Sequence, residues 1–328
     1  MKVLFIFFIF LFYSYHITAQ ILDINPSFPT SNDNITVIYD ASEGNAALVG
    51  VTPVYCHAGL ITSTSTSPAN WQFVQGVWGT PDQNVLMTSL GNNKHSISIN
   101  IPQFYGFPNG TNLLKLAFVF RNASGTIVGR NLDGSDIYYD IYPTNGGLQA
   151  AIFHPNNGLI VNLNQTISIQ SEANQPSSLS LYEDGILLST STNSLVLNHN
   201  HTALNQGSHW LNLVADNGIS IVEDSVFYMV NPQVIYQNPP EGTKNGINYL
   251  NDSTVLLQLY APEKNNVYVL GDFNNWLPSA SYHMYCSLDS SKWWKTIGNL
   301  IPGQKYAYQY YIDGLIKIAD PMSPLILD

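Results

Sequence analysis

Nine stretches of this chain alternate apolar and polar residues over six to nine positions: NITVIYD, HSISINI, LLKLAFVF, QTISIQS, SLSLYEDG, HWLNLVA, TVLLQLYA, NVYVLG and YAYQYYIDG. A period of two sends alternate side chains to opposite faces of a strand, and the Gly, Asn, Asp, Ser and Pro between these stretches supply turns. Almost nothing carries the period of an amphipathic helix. No strand–helix–strand alternation is sustained, so neither a (β/α)8 barrel nor a dinucleotide-binding fold fits. Many strands at short spacing read as β-sandwiches. The expected class is all-β, with three tandem β-sandwich domains.

Pro and Gly concentrate in IYPTNGG (141–147) and MVNPQVIYQNPPEGTKNG (229–246), which read as linkers. They place the domains at 20–143, 144–233 and 234–328, each of ordinary sandwich size. Residues 1–19 stand apart. Lys2, the apolar run LFIFFIFLFY and Ile17-Thr18-Ala19 read as a secretory signal peptide cleaved before Gln20. The short run and small Ala19 favour this over an uncleaved membrane anchor. No later stretch approaches the roughly 18 apolar residues of a spanning helix. The mature protein is expected to be secreted or at the cell surface, with no membrane span.

Charged residues make up 10% of the chain and the formal net charge is −11. That argues against nucleic acid, which needs clustered Lys and Arg. Low charge with many Tyr, Asn, Ser and Thr suits an extracellular β protein that recognises neutral polar ligands. Cys56 and Cys286 fall in different domains and are expected as free, mostly buried thiols. No Cys/His cluster has zinc spacing, so no metal or cofactor is expected.

The C-terminal block holds an ordered run of motifs: Val267 through Trp276 (VYVLGDFNNW), Trp293-Trp294, Leu300-Ile301-Pro302-Gly303, Tyr306 through Gly314 (YAYQYYIDG), Asp320-Pro321 and Ser323-Pro324. Gly271 is expected to take a conformation that other residues resist. Asn274 and Asn275 tolerate a tight turn, and Asp313-Gly314 signals a hairpin. The block resembles the E-set, glycogen-binding-like module (carbohydrate-binding module 48 type) that precedes the catalytic barrel in α-amylase-family glycoside hydrolases (glycoside hydrolase family 13).

In glucan-binding members of that family two tryptophans and a lysine meet the ligand. The first tryptophan matches Trp276. The second falls where this chain has Ile316, and the lysine where it has Gln309. One ring covering about 100 Å² contributes roughly 2.5 kcal/mol, whereas a millimolar complex needs about 4 kcal/mol net, after association costs. Trp276 alone is therefore insufficient, and it reads first as a packing residue that seals the sandwich edge, with direct glucan contact as the alternative.

The N-terminal block reads PVYCHAGLITSTSTSPANWQFVQGVWGTP over 53–81. Tyr55 and His57 alternate and so share one face of a strand. Trp71 and Trp78 follow a polar loop. Aromatic rings cover the apolar faces of neutral sugars, while amides, carboxylates or His meet the hydroxyl rim. The block resembles the starch-binding modules beside bacterial amylases, in which two aromatics at i and i+2 and a downstream tryptophan cradle an α-glucan. Tyr55, His57 and Trp71 match, with His57 in place of the second aromatic. The run LAFVFRNASGTIVGRNLDGSDIYYDI is similar to the closing hairpins of those modules. Candidate carbohydrate-binding residues are thus Tyr55, His57, Trp71, Trp78 and Trp276. Trp71 and Trp78 also flank Phe73, Val74 and Val77, a setting that suits core residues as well. Arg121 and Asp136 read as solvated hairpin charges, with binding roles as the alternative.

The middle block reads as an immunoglobulin-like spacer with hairpins at Asp184-Gly185 and Asp216-Asn217-Gly218. Trp210 alternates with apolar neighbours and is expected in the core. His199 and His201 read as part of a polar turn, or as an alternating pair on one strand face that could hold a metal.

Retaining glycosidases need two carboxylates about 5 Å apart. Asp272 and Asp313 belong to turn motifs, and neither a nucleophile-elbow motif nor HExxH occurs. No catalytic residue is assigned. The chain reads as the N-terminal accessory region of an exported α-amylase-family protein, a starch-binding-like module, an Ig-like spacer and an E-set module. Its expected partners are an α-glucan polysaccharide or maltooligosaccharide and a downstream catalytic barrel. ADPMSPLILD falls close to where relatives run into that barrel, so a truncated gene product is expected ahead of a stand-alone glucan binder. The competing class is a non-catalytic cell-surface adhesion or assembly protein that binds no sugar.

Overall fold

The computed structural model describes residues 20–325. The signal-peptide reading falls on residues 1–19, outside the described residues. The chain is all-β, in three β-sandwich domains.

The first domain contains β1 (Leu22–Asn25), β2 (Asn34–Asp40), β3 (Tyr55–Thr62), β4 (Gln72–Gln75), β5 (Thr88–Gly91), β6 (Lys94–Asn100), β7 (Leu113–Arg121), β8 (Val128–Gly129) and β9 (Ile137–Asp140). One sheet runs β1-β2-β6-β5. The other runs β4-β3-β7-β8, with β9 also on β7. Alternation in β2 sends Ile35, Val37 and Tyr39 inward, where they meet Ala58, Leu60, Phe118 and Phe120 of the facing sheet. Tyr39 stacks on Phe120 at 3.9 Å. The HSISINI run ends as a strand at Asn100, whose side chain caps a short helix, Ile101–Tyr105, by accepting from Gln103 N.

The second domain contains β10 (Ala150–His154), β11 (Leu159–Val161), β12 (Thr166–Glu183), β13 (Ile186–Thr202), β14 (Gly207–Asp216) and β15 (Ile221–Val230). Its order is β10-β12-β14-β15-β11, with β13 on β12. QTISIQS and SLSLYEDG are two halves of the single strand β12. Its ladder with β13 is interrupted between Glu172 and Ser177. Pro176 lies in that gap and has no N–H to give. Trp210 is not in the core. His209, Leu211, Leu213 and Ala215 form the buried face of β14, which leaves Trp210 on the other face, 43% exposed and edge-on to Phe227.

His199 and His201 lie on β13, not in a turn, with their rings 6.5 Å apart. His201 Nε2 is 2.8 Å from Glu183 Oε1, off the line of a hydrogen bond. Among the described residues no group of three or more His, Cys, Asp or Glu is placed to hold a metal.

The third domain contains β16 (Gly246–Asn251), β17 (Thr254–Tyr260), β18 (Val267–Gly271), β19 (Tyr285–Cys286), β20 (Lys292–Ile297), β21 (Tyr308–Ile312) and β22 (Ile316–Ile318). The sheets β16-β17-β20-β19 and β18-β21-β22 enclose Leu257, Leu259, Val267, Val269, Trp293 and Tyr310. Asp313 and Gly314 take positive φ at the β21–β22 turn. Asp313 Oδ1 accepts from the backbone N–H groups of Asn265 and Asn266, both at 2.8 Å. Cys56 and Cys286 are free and buried.

A buried histidine makes this domain acid-sensitive. His283 donates from Nε2 to Asn266 Oδ1 at 3.0 Å and packs between the rings of Tyr268 and Trp293. Burial, helped by the Lys295 ammonium, pushes its imidazole from 6.5 down to about 4. The unfolded ring binds a proton below pH 6.5 that the native ring refuses, so stability falls between there and pH 4, by about 3 kcal/mol when complete. His283→Gln is expected to lose less stability than the parent between about pH 6.5 and 4.5, read from urea midpoints at each pH. Equal losses would contradict this assignment.

The domains also touch one another. Phe227 and Met229 of the second pack with Tyr268, Leu270 and Tyr311 of the third. Phe153 of the second meets Phe28 and Tyr139 of the first.

Candidate functional site

Three of the five candidate side chains converge on one open cleft of the first domain. Its volume is about 350 Å³ and it is lined by His57, Asn70, Trp71, Trp78, Arg130 and Asp136, with Val74 and Val119 as apolar lining. The sheet register builds it. His57 on β3 stands opposite Val119 on β7. Two residues further along β3 is Gly59, against which the Trp71 ring lies. A Cβ at Gly59 would come within 2.9 Å of Trp71 Cε3, so glycine there is a requirement of close approach. Trp71 Nε1 donates to Tyr138 Oη at 3.4 Å, and that hydroxyl donates to Pro68 O at 2.9 Å.

His57 Nδ1 lies 2.8 Å from Gly76 O. A carbonyl can only accept, so Nδ1 carries the proton and Nε2 is the acceptor of the neutral ring. Burial holds the imidazole below its ordinary range. The His57 ring lies 28° from the plane of Trp71 and 86° from that of Trp78. The two indoles are therefore steeply inclined to each other. Trp78 is 45% exposed and rests on Gly125.

Tyr55 does not line this cleft. It is 3% exposed, and the Arg121 guanidinium lies 5.3 Å from its ring and 5.8 Å from that of Trp78. Arg121 is not a solvated hairpin charge. It is fully buried, and it donates from Nη2 to Val77 O at 2.8 Å and from Nη1 to the carbonyls of Asn122 and Ala123. Tyr55 thus supports an arginine that ties down the loop carrying Trp78. The second hairpin charge, Asp136, does reach the cleft, ion-paired with Arg130. Asn70 and Arg130 complete the polar rim. Neither carries a distinctive sequence signal, since each lies in an irregular segment outside the strands.

Trp276 belongs to a separate place, the turn after β18. It is 40% exposed, and its Nε1 donates to Asp272 Oδ1 at 3.1 Å, while Asp272 Oδ2 accepts from Ala307 N at 2.7 Å. Asn274 clamps the turn by accepting from Gly271 N and donating to Val269 O. Gly271 has extended backbone, with φ −177°, which any residue adopts. Its necessity comes from space, because a Cβ would fall 2.6 Å from Ala307 O and 2.8 Å from the Phe273 ring. Ile316 is exposed and Gln309 half-buried.

Comparison with known proteins places the third domain. Residues 244–323 match the family described as carbohydrate-binding module 48 (isoamylase N-terminal domain), which gives this part of the chain the class of a carbohydrate-binding accessory module. Residues 22–128 match a family described as a domain of unknown function (DUF8578). No curated protein matches the chain. Among solved structures, the fibronectin(III)-like modules of Clostridium thermocellum CbhA are 18% identical over 25% of this chain and 95% of theirs, with TM-score 0.23. The pullulanase SAP of Group B Streptococcus is 15% identical over 53% of this chain and 23% of its own, with TM-score 0.20. These overlaps are too weak to carry an argument about function.

Proposed function

We propose that the chain is the α-glucan-binding accessory region of an exported α-amylase-family glycoside hydrolase, and that the cleft of the first domain is its principal sugar site. The observation that carries this reading is the pair of steeply inclined indoles, Trp71 and Trp78, set around the imidazole of His57. An extended β-1,4-glucan presents its sugar faces in parallel and is met by coplanar rings. An α-1,4-glucan curls, so successive sugars turn their faces through an angle that inclined rings can follow. Two indole faces of about 100 Å² each give roughly 5 kcal/mol gross. The rings alone do not cover the association costs, so millimolar-range binding also needs the hydrogen bonds of the polar rim. His57 Nε2 and the Asp136 carboxylate supply acceptors for sugar hydroxyls, and Asn70 and Arg130 supply donors.

The match of residues 244–323 to an isoamylase-type module supports the same substrate class. Trp276, with Ile316 and Gln309 at the positions where the resemblance implies a second ring and a lysine, contributes little. Weak binding there adds avidity only if both modules engage one polymer. The test is retention on amylose resin against cellulose. Retention on amylose alone, undiminished in Trp276→Ala, is the expected result. Equal retention on cellulose, or none on either, would overturn the reading.

A further inference from the structure

The β21–β22 hairpin of the third domain touches both other domains. Its Gly314 turn abuts Ile160 of the second. Lys317 on β22 reaches the first, where its Nζ lies 2.7 Å from Asp133 Oδ2, and it also lies over the Tyr311 ring at 5.2 Å. Asp133 sits in the loop joining β8 to β9, three positions from Arg130 and three from Asp136, the ion pair of the cleft rim.

That loop is closed upon itself. Asn131 N donates to Ser135 O at 3.0 Å and Asn131 Nδ2 to Asp136 O at 2.8 Å. Ser135 N and Oγ both donate to Asp133 Oδ1. One carboxylate oxygen of Asp133 is thus used inside the loop and the other on Lys317. Against the desolvation that burial imposes, the hydrogen bonds from Lys317 and Ser135 hold the Asp133 carboxyl below its ordinary range. Asp133 is therefore charged at neutral pH, and without Lys317 it is left as an unpaired, largely covered carboxylate. Losing that partner removes the one ion pair that ties this loop to the third domain among the described residues.

We propose that Lys317 is a positioning residue for the first-domain cleft. Through Asp133 it clamps the 130–136 loop to the third domain and so fixes Arg130 and Asp136 on the rim where a sugar's hydroxyls meet them. The proposal rests on the glucan reading of the cleft. It makes the affinity of one module depend on the docking of another about 180 residues later in sequence.

The test uses the mature chain, titration calorimetry with maltoheptaose, and amide exchange of the 130–137 segment. Lys317→Met keeps the stem and removes the charge. It is expected to weaken binding by about two- to fivefold, as befits a partly exposed pair acting at a distance, and to speed exchange in the loop. Lys317→Arg is expected to restore both. Asp133→Asn keeps an acceptor for Ser135 and removes the ion pair, and adding it to Lys317→Met is expected to cost little beyond either single substitution. Unchanged affinity and exchange in Lys317→Met, with wild type binding normally, overturns the clamp and leaves the cleft reading standing. Absence of any binding to wild type overturns the glucan reading and, with it, the positioning role.

Discussion

Trp71→Ala is expected to weaken α-glucan binding by tenfold or more, with the fold retained. The indole lines the cleft, and losing one sugar-covering face removes roughly 2.5 kcal/mol of gross contact, of which about 1.4 kcal/mol already accounts for a factor of ten. The indole is only half-buried, so its loss widens the cleft over Gly59 and leaves no closed void, and the unfolding midpoint should shift little. Trp71→Phe should retain part of the affinity, because a smaller ring still offers an apolar face. Trp276→Ala should change binding less than about twofold, since among the described residues no second ring is paired with it. Affinity electrophoresis and thermal unfolding of all three variants check this. Equal losses from Trp71→Ala and Trp276→Ala, both folded, would contradict the assignment of the site to the first domain.

The second large effect is on stability. Gly271→Ala should destabilise the third domain by about 2–3 kcal/mol, in the upper range for overpacking. Two neighbours are met at once, the Ala307 carbonyl and the Phe273 ring. The carbonyl cannot retreat, because it accepts from Asp272 N at 3.1 Å. The ring cannot swing freely either, since it stacks on Tyr282 at 5.3 Å. The backbone dihedral contributes nothing to this cost. Urea unfolding followed by tryptophan fluorescence measures it, and an unchanged midpoint would show that the turn relaxes without penalty.

The strand pattern was legible because a period of two survives wherever one face is buried. NITVIYD coincides with β2, and TVLLQLYA with β17 plus one residue. Phase was harder to read than period. HWLNLVA alternates in either of two registers, and size favours Trp210 as the buried residue. The second domain instead buries the phase of His209, Leu211, Leu213 and Ala215, since its three apolar positions outweigh one large ring and His209 finds partners in Asp184 and Asn205 O.

The site divides in the same way. Strand alternation pointed to Tyr55 and His57 and the polar loop to Trp71 and Trp78, and the fold brings His57, Trp71 and Trp78 together. Tyr55 shares their pattern but faces Arg121, its partner across the β3–β7 ladder. Only tertiary register reveals that pairing. Arg130 and the Lys317–Asp133 contact depend on loops and domains far apart in the chain, which no local spacing encodes.

The account turns on one claim, that this chain binds α-glucan through its first domain. Native electrophoresis of the mature protein in gels with and without soluble starch tests it most directly. Retardation by starch, lost in Trp71→Ala, is the predicted result. Identical migration of the folded wild type in both gels would contradict it.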